Sequence, residues 1–166
     1  MLTTAITFAI AKHQGQTRKA SGLPYVTHTL TVMDMIQQHK GDSKNIEALQ
    51  AAAVLHDTLE DTNTTFAELE LNFGFMVASI VQELTSDEEQ IRLIGKKDYL
   101  KKKMLSLTPY AFILKLLDRL SNCLDNPTQK YLADTIETLD FLLTNRQGLT
   151  ARQLRIMGQI REVCVA

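Results

Sequence analysis

Along the whole chain the apolar residues recur at intervals of three and four and almost never alternate, a spacing that lines them up on one face of an α-helix and argues against a sheet-based core. Three prolines and seven glycines in 166 residues leave few points at which a helix must stop. The expected fold is therefore all-α. The periodicity predicts helices over Leu2 to Lys12, Pro24 to about Gln38, Lys44 to about Asp61, a short segment opened by a Thr65/Glu68 capping box, Phe75 to Leu84, Lys96 to Leu105, Pro109 to Leu124, Thr128 to Leu143 and Thr150 to Val163. That makes a helical bundle of about nine helices, and a length suited to one domain over residues 1–166.

Apolar residues make up 45% of the chain and charged residues 22%, the balance of a globular protein. With 18 Lys and Arg against 19 Asp and Glu, the formal net charge is −1, so no global field draws the chain to nucleic acid or anionic lipid. The first residues lack the basic start of a secretion signal, and no run approaches the roughly 20 apolar residues of a membrane span, so a cytoplasmic protein is expected. Cys123 and Cys164 follow no metal-binding spacing, which predicts two reduced thiols at or near the core.

The segment HDTLEDT, His56 to Thr62, carries most of the chemistry. If the preceding helix runs on through it, Asp57, Glu60 and Asp61 share one face at a helix C-terminus, where the dipole and mutual repulsion both disfavour acids. A divalent cation would relieve that conflict, and His56 beside Asp57 offers the imidazole and carboxylate donors that such ions accept; the alternative is a solvated acidic turn. Two further donors are His28, early in the second helix, and Asp118, which interrupts the apolar run of LKLLDRLSN and so needs either a cation or a metal. Its neighbour Arg119 is the obvious ion-pair partner, but adjacent helix residues do not face each other.

In the order His28, His56-Asp57, Asp118, the sequence resembles the HD-domain phosphohydrolases, and within them the RelA/SpoT-type hydrolase domain that removes the 3′-pyrophosphate of (p)ppGpp. The matching stretches are HQGQTRKASGLPYVTH (13–28), HDTLEDT (56–62), FGFMVASIVQELTSD (73–87) and LKLLDRLSN (114–122). The resemblance implies an HD-type bundle in which His28, His56, Asp57 and Asp118 hold one divalent metal, usually manganese in this family. It implies Glu60 and Asp61 as catalytic acids, Arg18 against the guanine with Lys19 near the phosphates, and Asn122 in contact with the nucleotide. Tyr131 resembles a nucleotide-flanking tyrosine of the short hydrolases, although no tight motif frames it and core or helix packing is its expected role. His13 belongs to the matched loop and is expected to order it.

The chain departs from the family at Thr29, where proline usually stands, in LLDRLSN where LADRLHN is usual, and at Asp125, an acid where the long members often carry threonine. The first two leave the proposed ligands intact, whereas an acid facing a polyphosphate bears on substrate choice. Residues 126–166 are too few for the synthetase and regulatory domains of long members, so a stand-alone hydrolase is expected. Its last two amphipathic helices either cover the core or pack against another subunit, which leaves a homo-oligomer open. Five lysines between Lys96 and Lys103 read as a solvated helix face, with phosphate recruitment as the alternative. The expected partner is a small nucleotide and neither nucleic acid nor membrane. Two other functions remain in play, the same chemistry on a different nucleotide and a non-catalytic nucleotide-binding module.

Overall fold

A computed structural model describes residues 1–166, and every regular element in it is a helix: α1 Leu2–Lys12, α2 Val26–Lys40, α3 Ile46–Leu55, α4 Thr58–Asp61, α5 Phe66–Phe73, α6 Phe75–Leu84, α7 Glu88–Ile94, α8 Lys96–Ser106, α9 Pro109–Leu124, α10 Gln129–Asn145 and α11 Ala151–Val165. β-type pairing is limited to one isolated bridge between Thr17 and Pro24. The all-α expectation holds, and the nine expected segments are all helical. Two short helices, α4 and α7, bring the number to eleven.

The chain divides into two compact units, Met1–Thr85 and Ser86–Ala166. In the first, α3 is the interior helix, packed by α1, α2 and α6. Its run Ala51 to Leu55 is buried all round, as a helix enclosed by others must be. Three successive alanines let the neighbours approach closely and lose no side-chain entropy on burial. Val32 and Ile36 of α2, Ala5 and Ala9 of α1, and Val77, Ala78 and Val81 of α6 complete that core.

The expected continuous helix from Lys44 to Asp61 is broken after Leu55, and the reason is local. His56 Nδ1 donates to the carbonyl of Ala53 at 2.7 Å, and the Thr58 hydroxyl donates to the carbonyl of Leu55 at 2.7 Å. Side chains thus occupy acceptors that a continuing helix would give to main-chain N–H groups. Asp57 becomes the N-cap residue of α4. Glu60 and Asp61 fall within a separate four-residue helix and not at the end of α3, so the dipole conflict argued from a continuous helix does not arise, while the repulsion among the three acids remains.

In the second unit α9 is the buried element, opened by Pro109 at its first turn and packed by α10 and α11, while α8 packs on α10. The short α7 buries no residue; it is defined by Asp87, whose side chain accepts from Gln90 N, and by Gly95 at φ 83°, a conformation glycine adopts without strain. The lysines of α8 are more than a solvated face. Lys97 and Lys101 both reach Glu137 of α10, at 2.8 and 2.6 Å, and Lys101 also lies over the Phe141 ring at 5.5 Å. Arg146, just past α10, donates to the carbonyls of Met104, Leu105 and Leu107 at 2.6–2.8 Å and lies over Phe112 at 3.9 Å. It closes the carbonyl end of α8 that the helix itself leaves open.

Candidate functional site

In the first unit α2 delivers His28 in its first turn and the end of α3 delivers His56; both rings are buried, 4% and 2% exposed, with centroids 5.3 Å apart. They converge on one atom. Asp57 Oδ2 lies 3.0 Å from His56 Nε2 and 3.9 Å from His28 Nε2, and it accepts the Tyr25 hydroxyl at 2.6 Å. Because Ala53 O can only accept, His56 Nδ1 carries a proton and Nε2 presents its other face to the carboxylate. If the ring is neutral, a lone pair faces an anion at 3.0 Å, an arrangement that a cation between them makes favourable. This donor set fits a divalent metal.

Glu60 and Asp61 follow on α4, both with exposed surface. Partial desolvation by the surrounding protein, then the charges of Asp57 and Glu60, hold the Asp61 carboxyl above its ordinary value despite the opposing effects of Tyr25 and His13. The preceding loop is tied to this group. Gln16 Nε2 donates to Asp61 O at 2.8 Å, His13 bonds Gln16 Oε1 at 2.8 Å and stacks on Tyr25 at 4.9 Å, and the Arg18 guanidinium lies 5.7 Å from the centre of the same Tyr25 ring. Lys19 beside it is exposed. Thr29, in place of the usual proline, is buried and donates to Val26 O at 3.0 Å, so the departure is absorbed within α2.

The second unit contains Asp118, Asn122 and Tyr131. Asp118 is buried on α9; its Oδ2 accepts Lys115 Nζ at 2.9 Å and its Oδ1 accepts Asn122 Nδ2 at 2.8 Å. The cation beside it is thus Lys115, at i−3, and Arg119 is not its partner. Arg119 instead donates to Thr135 Oγ1 at 2.6 Å and lies 4.9 Å from the centre of the Tyr131 ring. Burial pushes the Tyr131 phenol up to about 12, and the ring's clearest contact is this helix-to-helix one. Asp125 sits at the end of α9, three residues beyond Asn122, with Asn126 next to it at φ 48°.

The structure therefore gathers His28, His56, Asp57, Glu60, Asp61 and Arg18 in one unit, and Asp118, Asn122 and Tyr131 in the other. Two participants escape a reading of the sequence. Tyr25 is three residues before His28, and its hydroxyl next to a histidine was the available signal; its bond to Asp57 spans 32 residues. Lys115 is legible from the i,i+3 rule applied backwards from Asp118.

Comparison with known proteins bears on the same residues. The HD-domain family profile matches residues 5–150, a range running through both units. The guanosine-3′,5′-bis(diphosphate) 3′-pyrophosphohydrolase MESH1 of Mus musculus is 40% identical over 125 residues, covering 75% of this chain and 68% of that protein. A protein of the same activity name from Spiroplasma citri is 33% identical over 154 residues, 90% of this chain and 18% of that longer one. Among solved structures, a metazoan ortholog of SpoT described as hydrolysing ppGpp superimposes with a TM-score of 0.74 at 26% identity, covering 95% of this chain and 94% of that one. A Listeria monocytogenes EGD-e protein shares the fold, with a TM-score of 0.64 at 18% identity over 89% of this chain and 100% of that one.

Proposed function

Since the chain belongs to the HD-domain family of metal-dependent phosphohydrolases, beside its guanosine-3′,5′-bis(diphosphate) 3′-pyrophosphohydrolases, we propose that it hydrolyses the 3′-pyrophosphate of (p)ppGpp to GDP or GTP and pyrophosphate. The observation that carries this reading is the convergence of two imidazoles and a tyrosine hydroxyl on Asp57 Oδ2 within HDTLEDT. The two units work as one HD-type hydrolase domain, a reading supported by the family profile that runs through both.

His28, His56, Asp57 and Asp118 are the residues that hold one divalent metal, manganese by family habit. When bound, such an ion polarises a phosphoryl oxygen and makes water a nucleophile at neutral pH. The chain's own residues supply the rest. Tyr25 fixes the Asp57 oxygen and Ala53 O fixes the His56 tautomer, so neither donor reorganises when loaded. Asp61, whose raised carboxyl keeps a proton closer to neutral pH, exchanges that proton with water or leaving oxygen, and Glu60 orients the water. Arg18 stacks on the base with its guanidinium plane, Lys19 meets phosphate oxygens, and Asn122 and Tyr131 complete the nucleotide contacts. A cytoplasmic enzyme on a free nucleotide, with no nucleic-acid partner, is the reading supported by the nucleotide named in the activity of its relatives and by a net charge of −1.

A second reading, the same chemistry on another nucleotide, is favoured by Asp125, which puts an acid at the end of α9 near Asn122. One assay separates them. Protein with ppGpp and manganese is expected to yield GDP and pyrophosphate by chromatography, and Asp57→Ala to lose both turnover and bound metal. Metal bound to the unaltered protein without turnover would reject the alarmone substrate.

A further inference from the structure

Two cysteines separated by 41 positions in the chain meet in space: Cys123 Sγ and Cys164 Sγ are 3.7 Å apart, and both are free thiols. Cys123 lies in the last turn of α9 and Cys164 in the last turn of α11, two helices packed on each other within the second unit. Cys123 is 3% exposed, with Thr135 Oγ1 at 4.0 Å from its sulfur, whereas Cys164 is half-buried. At that distance one thiol donates a weak hydrogen bond to the other sulfur, so the two side chains are aimed at each other. A disulfide needs a separation of about 2.05 Å, about 1.7 Å less than the 3.7 Å observed.

We propose that Cys123 and Cys164 form a reversible dithiol–disulfide pair oxidised by a peroxide, with Cys164 as the sulfur attacked first and Cys123 as the resolving thiol. The Cys164 thiolate attacks one oxygen of hydrogen peroxide; the O–O bond breaks, the other oxygen leaves with a proton as water, and Cys164 becomes a sulfenic acid. Cys123 sulfur then attacks Cys164 sulfur. The S–S bond forms, the S–OH bond breaks, and hydroxide leaves as water with the Cys123 proton. Two thiols and one peroxide give one disulfide and two waters, the sulfurs being oxidised and the peroxide oxygens reduced. A dithiol reverses it by exchange.

The order follows from the surroundings. The peroxide reaches the half-buried sulfur and not the covered one. Burial, then the neighbouring Cys164, pushes the Cys123 thiol up to about 12, which disfavours its thiolate and leaves Cys164 as the sulfur the peroxide oxidises first. Cross-linking draws Cys123 from Thr135, whose hydroxyl also receives Arg119 at 2.6 Å, and fastens the end of α9 to α11. None of this depends on the hydrolase reading.

The test treats the whole chain with hydrogen peroxide and follows it by intact mass and non-reducing peptide mapping, with circular dichroism confirming that each variant is folded. The expected result is loss of two hydrogens, a linked peptide pair containing Cys123 and Cys164, and full reversal by dithiothreitol. Cys123→Ser is expected to leave a Cys164 sulfenic acid that dimedone captures, and Cys164→Ser to leave Cys123 unoxidised. Intermolecular dimers, a sulfinic acid on Cys164 of the unaltered chain, no oxidation, or dimedone capture at Cys123 would each overturn the proposal.

Discussion

Replacing Arg146 by methionine isolates the stabilisation that one guanidinium gives to the end of a helix. Arg146 donates three hydrogen bonds to the carbonyls of Met104, Leu105 and Leu107, at 2.6, 2.8 and 2.8 Å, and lies 3.9 Å from the centre of the Phe112 ring. A charge-assisted hydrogen bond contributes about 1.5–3 kcal/mol, and a stranded acceptor costs about 1–3 kcal/mol. Arg146 is half-buried, so water re-satisfies part of what is lost, and methionine keeps contact with the ring. Met104 and Leu107 are buried, which limits that repair. The expected loss is about 3 kcal/mol, set against a total stability on the order of 5–15 kcal/mol. For a chain of this size that lowers the melting temperature by about 6–12 °C. Urea and thermal unfolding followed by circular dichroism measure it, with Arg146→Lys as a control that retains a cation without the planar fork and recovers only part of the loss. A methionine variant within about 0.5 kcal/mol of the unaltered protein, the range of an ordinary surface substitution, would refute the assignment of Arg146 as the cap of α8.

Tyr25→Phe removes only the hydroxyl bonded to Asp57 and is expected to lower metal affinity and turnover about 10-fold, as losing an outer hydrogen bond to a ligand does; titration with manganese and steady-state rates read both, and unchanged values would show that the bond positions nothing. Glu137 is held well below its ordinary range, at about 2, by hydrogen bonds from Lys101 and then Lys97. A depressed carboxylate contributes stability above its unfolded value and loses it as pH falls through the folded one. Glu137→Gln is therefore expected to flatten the fall in melting temperature between about pH 4.5 and pH 2, and parallel slopes for the two proteins over that window would contradict the clamp between α8 and α10. Ala52→Leu, at a fully buried position of α3, is expected to overpack the core at a cost of about 1–3 kcal/mol in chemical denaturation; no loss would mean that α3 has room around it.

The helices are legible because burial alone requires the spacing of three and four, and Pro109 marks the start of α9. The break after Leu55 is not, because it depends on His56 and Thr58 turning back to carbonyls that a sequence pattern assigns to the main chain. Nor is α7, seven residues of which none is buried, which rests on a cap and a glycine. The Thr65/Glu68 pattern forms only in part: Thr65 accepts from Glu68 N, while the Glu68 carboxylate is turned to Lys12 at 2.9 Å. In the candidate site, the HDTLEDT acids and histidines stand out as residue types, whereas Tyr25 and the pairing of Cys123 with Cys164 arise only when distant segments fold together.

The loop from His13 to Tyr25 carries a thermodynamic consequence. Its main chain is closed on itself by Arg18 N to Leu23 O, Gly22 N to Arg18 O and Tyr25 N to Gln16 O, each at 2.8–2.9 Å. The Arg18 main chain is therefore fixed at both its N–H and its C=O, while its guanidinium lies 5.7 Å from the centre of the Tyr25 ring; freezing a long side chain at an interface costs about 0.5–1.5 kcal/mol. A ligand that docks there meets a main chain whose disorder was already given up when the chain folded, so the ordering cost that remains is that of the Arg18 side chain. The amides of Arg18 and Tyr25 report this directly, exchanging slowly with deuterium in the free protein and changing little when ligand is added.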